Sequence, residues 1–417
     1  MKRLVAVALG ILTAIGGFVD IGDLVTNAVV GSRFGLSLAW VVVLGVVGIC
    51  VFAEMSGRVA AVSGRATFDL VRERLGPRAG LANLIGSLAV TFLTFAAEIG
   101  GVALALELAS SVNRFLWIPV VGALVWLVLW RVRFAVLENV FGLLGLTLVV
   151  FAVAVWQLHP DWSGLWHQAS HPAELGALGA SGPGSEHLST YLYYAVALFG
   201  AAMTPYEVFF FSSGGVEEGW DVRDLTTMRM NVFVGFPLGG FLSIAIAAAA
   251  AVVLLPAGIS ADTLGLVALP VVVALGKIGL VVVLIGFFAA TFGAACETGL
   301  SIGYSVSQFF GWAWGKFLRP VDGARFHTVL LVSTVLGTGL LMTTVDPIKV
   351  TEYSVVFSAL ALPLTYFPIL VVANDRDYMG THVNGRVANA LGSFYLVVVM
   401  VASVAALPLM LITKAGQ

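Results

Sequence analysis

Of the 417 residues in this chain, 59% are hydrophobic and 11% charged, where a soluble domain carries about 25% charged residues. That balance excludes an ordinary soluble globule and identifies a polytopic membrane protein. The net charge of -2 leaves no basic surface for nucleic acid. Cys50 and Cys296 lie in separate apolar runs without CxxC or Cys/His spacing, so they read as core thiols.

Runs long enough to cross roughly 30 Å of hydrocarbon fall at 5–30, 36–56, 81–112, 115–133, 137–157, 190–213, 231–256, 266–296, 326–343, 351–373 and 388–412, eleven in all. The first follows Lys2 and Arg3 directly, yet it is too long for a removable signal peptide and has no small-residue cleavage site. With the N-terminus in the cytoplasm, sixteen of the 21 Lys and Arg residues fall inside. Arg33, Arg114, Lys349 and Lys414 fall outside, and Lys277 sits within a span. The positive-inside rule therefore predicts a multi-pass protein of the plasma or inner membrane with a cytoplasmic N-terminus.

The first run holds Gly16-Gly17-Phe18-Val19-Asp20-Ile21-Gly22-Asp23-Leu24, two carboxylates deep in apolar sequence. An aspartate at the centre of a membrane helix costs about 2.5–3.5 kcal/mol, so such groups face a cavity, a partner or a ligand. The glycines loosen the helix, and an unwound turn would point free carbonyls, with the carboxylates, at a cation.

Two later runs carry polar or helix-breaking residues of the same kind. Glu98 lies inside the third run, where it would either bond the backbone of a broken helix or take a proton or cation role. The sixth run is interrupted at Gly200-Ala201-Ala202-Met203-Thr204-Pro205-Tyr206-Glu207. Pro205 removes a helix hydrogen bond, and Glu207 adds a carboxylate at membrane depth. Breaks five spans apart point to an inverted-repeat transporter with its site at the midplane.

Other features read as ordinary. His159, His167, His171 and His187 share an outer loop, read as a solvated connection. Glu217, Glu218, Asp221 and Asp224 read as a solvated face, and Arg65 to Arg78 as a short amphipathic segment on the inner leaflet. Lys277 is expected to snorkel outward.

The motifs Asp20-Ile21-Gly22-Asp23 and Thr204-Pro205-Tyr206 resemble the Asp-Pro-Gly-Asn and Met-Pro-His motifs of the Nramp family of divalent-metal transporters, and Ser354 to Asn374 resembles its tenth helix. The resemblance covers about 400 residues and implies an all-α integral membrane fold, a LeuT-type inverted repeat of 5+5 helices plus one extra, with helices 1 and 6 broken. The first repeat then spans 1–157, an extracellular loop 158–189, the second repeat 190–373, and the eleventh helix and C-terminus 374–417. Family ligands map onto Asp20, Asp23, Ala201 and Thr204, with Glu207 beside them. Gly22, Pro205, Tyr206, Glu98 and Ser354 take supporting or coupling positions.

The departures set the expected ion. Asp23 stands for asparagine and Thr204 for methionine, and an all-oxygen set suits hard ions such as Mg²⁺. This pattern resembles the Nramp-related magnesium transporters. Phe95 replaces the aspartate of the family's Asp-x-x-Glu pair, Tyr206 replaces its histidine, and the ninth run has no arginine. The expectation is therefore import of Mg²⁺ and Mn²⁺ by alternating access without proton coupling. Proton-coupled transport of Mn²⁺, Fe²⁺ or Al³⁺ is the alternative, and an organic-solute carrier of the same fold a more distant one. No catalytic constellation is present, so the chain is not read as an enzyme. Its expected partners are the transported ion and the lipid bilayer, with no cofactor and no nucleic acid, and the protein is expected to be a monomer or weak oligomer.

Overall fold

The computed structural model describes residues 19–131, 140, 142–171, 187–316 and 318–416. Its helices are α1 (Ile21–Phe34), α2 (Ala39–Ser63), α3 (Thr67–Leu75), α4 (Pro77–Ser110), α5 (Arg114–Arg131), α6 (Val150–Gln157) and α7 (Trp162–Ser170). There follow α8 (Leu188–Ala202), α9 (Pro205–Glu217), α10 (Leu225–Met230), α11 (Phe236–Ala257), α12 (Leu264–Phe310), α13 (Ala324–Met342), α14 (Pro347–Ala373), α15 (Arg376–Met379) and α16 (Arg386–Ile412).

Among the described residues, nine helical segments are long and apolar enough to cross a membrane. They coincide with the second to fourth and the sixth to eleventh expected runs. The fifth run appears as Gly142–Gln157, bent by 115° against α7. Of the first run the described part is α1, and residues 5–18 lie outside the described residues.

Local chemistry sets the helix ends. Asp20 is extended and N-caps α1, its carboxylate accepting from the Asp23 amide, while Gly35 closes the helix at a φ of 60°. Pro77, Pro205 and Pro347 each open a helix, where the missing N–H costs nothing. Every residue of α1 except Arg33 is buried, so its polar members Asp23, Thr26, Asn27 and Ser32 lie inside the bundle along with the apolar ones. It lies chiefly against α11, and α4 packs along α12 and α14. At the α1–α11 crossing a side chain on Gly31 would run into the Ala247 backbone, so small residues let the two helices approach closely.

Three expectations are corrected. The eighth run does not end at 296: α12 continues to Phe310 and carries Glu297 within it, because burial against protein tolerates a charge that lipid would not. The same helix kinks at Gly276, whose φ is 62°, beside the exposed Lys277. The outer loop is not solely a solvated connection, since residues 162–170 form α7 with Leu165 buried. Finally, α3 buries Phe68, Leu70 and Val71 against protein and pairs through Arg74 with Asp375, so it is docked on the bundle.

Candidate cation site at two helix breaks

Asp20 and Thr204 hold extended backbone immediately before α1 and α9. Helix is described on both sides of Thr204, and the cause of that break is legible in the residues. Thr204 precedes Pro205, which disfavours helical geometry for the preceding residue, and Pro205 lacks the N–H that the Ala201 carbonyl would receive in a continuous helix. Helix α8 therefore stops at Ala202, with Met203 as its cap.

The start of α1 and the break between α8 and α9 are held side by side by α14. A side chain on Gly22 would meet Val355 at 2.9 Å and the Asp20 carboxylate at 3.0 Å, and one on Gly200 would meet the Val355 carbonyl. Ser358 donates to the Gly200 carbonyl at 3.0 Å. Ser354 lies one turn earlier and hydrogen-bonds Thr94 of α4 at 2.6 Å, which fixes α14 to α4.

Each expected site residue is buried: Asp20, Asp23, Thr204, Glu207, Tyr206 and Glu98 all lie inside the bundle. Glu98 reaches across from α4 and accepts the Ile21 amide at 3.0 Å, so the backbone-bonding reading of this glutamate is the one the geometry displays. Tyr206 hydrogen-bonds Asp20, and its carbonyl accepts from Ser301 of α12 at 3.4 Å. Thr204 donates to Glu207 at 3.3 Å. Asp23 accepts from the Asn27 amide at 2.8 Å and from the Ser243 hydroxyl of α11.

Asp20, Asp23 and Glu207 lie within electrostatic reach of one another, and Glu98 within reach of Asp20 and Glu297. Ionised carboxylates this close in a low-dielectric interior would repel each other, and a cation among them would offset that repulsion. The three do not converge on one point here: among the described residues no three His, Cys, Asp or Glu side chains are grouped to hold a metal ion. Instead each carboxylate is occupied by a nearby donor.

The sulfur of Met203 is turned away. It lies against α2, so that a side chain on Gly48 would meet it at 2.6 Å, with Tyr395 on the same spot. The donors at the two breaks are consequently oxygens. Cys50 and Cys296 are free and buried, as expected.

Three partners were not anticipated. Asn27 stands four residues after Asp23 on one helix face, a spacing that does signal a contact. Glu297 is a carboxylate between Ala294-Ala295 and Leu300, visible had the run been read through it. Ser243 gave no signal, being one hydroxyl in an apolar helix 220 residues from its partner. Glu217, expected in a solvated face, instead accepts from Tyr304 at 2.7 Å and from the Lys316 amide. His167 and His171 stack with ring centroids 4.6 Å apart on α7 and its end.

The family model for natural resistance-associated macrophage protein-like proteins matches residues 10–408. A divalent metal cation transporter MntH of Aeromonas hydrophila is 26% identical over 395 residues, covering 92% of this chain and 91% of the relative. Among solved structures, the Eremococcus coleocola manganese transporter superposes with a TM-score of 0.68 at 18% identity, covering 96% of this chain and 85% of that one. Mhp1, a nucleobase-cation-symport-1 transporter, superposes with a TM-score of 0.59 at 16% identity, covering 97% and 92%. The architecture is thus the LeuT-type inverted repeat.

Proposed function

This chain belongs to the natural resistance-associated macrophage protein-like (Nramp) family, and from that membership we propose that it carries divalent cations inward across the cell membrane, Mg²⁺ in preference to Mn²⁺. The observation that carries the preference is the donor chemistry at the breaks. Asp20, Asp23, Thr204, Glu207 and the Ala201 carbonyl offer oxygen only, and Met203 packs its sulfur on α2. Hard oxygen donors suit Mg²⁺, which keeps several waters and uses one or two carboxylates.

In the proposed cycle Asp20 provides the central charge. Asp23 and Glu207 exchange their present donors, Ser243 and Thr204, for the incoming ion or its waters. Tyr206 and Glu98 hold the ends of α9 and α1 in position, which keeps the breaks open. Alternating access follows from movement of the broken helices about the site. With the N-terminus cytoplasmic, the ion moves down an inside-negative potential. Tyr206 and Phe95 are poor proton carriers, which supports transport without protons.

The second reading is proton-coupled Mn²⁺ transport, whose choice of ion is favoured by the relatives: a divalent metal cation transporter and a manganese transporter. Uptake into liposomes separates the two. The expected result is Mg²⁺ entry exceeding that of Mn²⁺, with Ca²⁺, Zn²⁺ and Al³⁺ compared alongside. Mn²⁺ entry with none of Mg²⁺ would overturn the preference in favour of the second reading.

A further inference from the structure

A cavity of about 760 Å³ opens on the bundle surface between α2, α6, α7 and α11, a volume in the range of small-molecule pockets, about 300–1,000 Å³. Trp40, Trp156, Trp162, Trp166 and Phe241 line it, and Ser170 is the one hydroxyl among the described residues of the lining. All four tryptophans are exposed. Such rings concentrate where hydrocarbon meets headgroups. Helix α7 turns 115° from the preceding span and forms one wall of the cavity.

We propose that this groove is a binding site for one acyl chain of a membrane phospholipid. What points to that occupant is continuity with the lipid-facing surface. Val43, which lines the groove, and Val47 one turn further along α2 are both exposed apolar residues of a membrane span. The groove therefore opens into hydrocarbon, and among the described residues its lining is apolar apart from Ser170 and the indole N–H groups, of which that of Trp40 is already bonded to Tyr191. The tryptophan-lined wall of α7 lies where the headgroup of the same molecule would sit.

The groove shares a wall with the proposed cation site. On α11, Phe241, Ile244, Ala245 and Ala248 face the groove with the i, i+3, i+4, i+7 spacing of one helix face. Ser243 and Ala247 lie on the other face, where they meet Asp23 and Gly31. A chain in the groove therefore presses on the helix that holds Asp23.

The test uses the full protein in detergent micelles titrated with phosphatidylcholine brominated on its acyl chains, a quencher of tryptophan fluorescence. Subtracting a variant with Trp40→Phe, Trp156→Phe, Trp162→Phe and Trp166→Phe isolates the groove signal. A site predicts saturation of that signal at about tenfold lower mole fraction of brominated lipid than the remaining tryptophans require, the ratio given by about 1.4 kcal/mol of preferential binding. Quenching that merely tracks the mole fraction would overturn the proposal, as would protection of these tryptophans in a dimer that buries the groove. Lipid retained after detergent extraction, counted by native mass spectrometry, supplies an independent reading. Val43→Phe should lower it by one molecule per chain while Val47→Phe leaves it unchanged, and equal retention in both variants counts against the site.

Discussion

Asp20 is the residue on which the proposed transport turns, since its carboxylate caps α1 through the Asp23 amide at 2.8 Å and also meets Tyr206. Asp20→Ala removes the central charge and a helix cap, which costs about 1 kcal/mol of stability. The expected outcome is a folded protein with no Mg²⁺ uptake, checked by size-exclusion behaviour and liposome flux; uptake at the parent rate would remove Asp20 from the site. Asp23→Asn and Glu207→Gln keep shape and lose charge. Each is expected to weaken Mg²⁺ binding by about tenfold, or about 1.4 kcal/mol, measurable by calorimetry. Thr204→Met combined with Asp23→Asn brings a soft sulfur to the break and should turn relative uptake towards Mn²⁺ and Cd²⁺. Unchanged selectivity in that double variant would mean these two positions do not choose the ion.

At the scale of the element, the break between α8 and α9 rests on a missing donor. Pro205→Ala restores an N–H four residues after the Ala201 carbonyl and removes the constraint on Thr204, so the two helices can join. The variant is expected to melt no lower than the parent while losing transport, and melting curves with flux measurements decide it. Undiminished flux would show that the break survives without the proline. Helix α1 depends on a different device: at Gly31 any side chain collides with the Ala247 backbone, which cannot move aside as a side-chain tip can. Gly31→Val is therefore expected to destabilise the bundle by about 1–3 kcal/mol, the usual cost of overpacking, seen as a lowered melting temperature.

For the whole molecule, the proposed driving force is the membrane potential. One charge crossing 100 mV gains about 2.3 kcal/mol, so a divalent ion gains about twice that without a proton. Mg²⁺ uptake is expected to rise with an imposed inside-negative potential and to leave lumenal pH unchanged. A trapped pH-sensitive dye checks this: acidification that requires Mg²⁺ and scales with it would establish coupling, and Glu98 and Glu297 would then be the carboxylates to examine.

The sequence alone determined whatever depends on short-range chemistry. Runs of apolar residues predict spans because hydrocarbon leaves the backbone no partner but itself. Pro205 and Gly22 with Asp20 mark the breaks because a missing N–H, a missing side chain and a buried charge act within one helical turn. The resemblance of the two motifs was readable for the same reason. Only the tertiary structure decided who meets whom across the bundle. Glu98 caps the Ile21 amide from 77 residues away and Ser243 holds Asp23 from 220, and no local pattern marks either contact. It also turned the Met203 sulfur onto α2, carried α12 past Glu297, and folded α7 beside α2, α6 and α11 to leave the tryptophan-lined groove. These outcomes depend on which faces of distant helices are pressed together, and packing at close range, not the order of residues along one run, selects them.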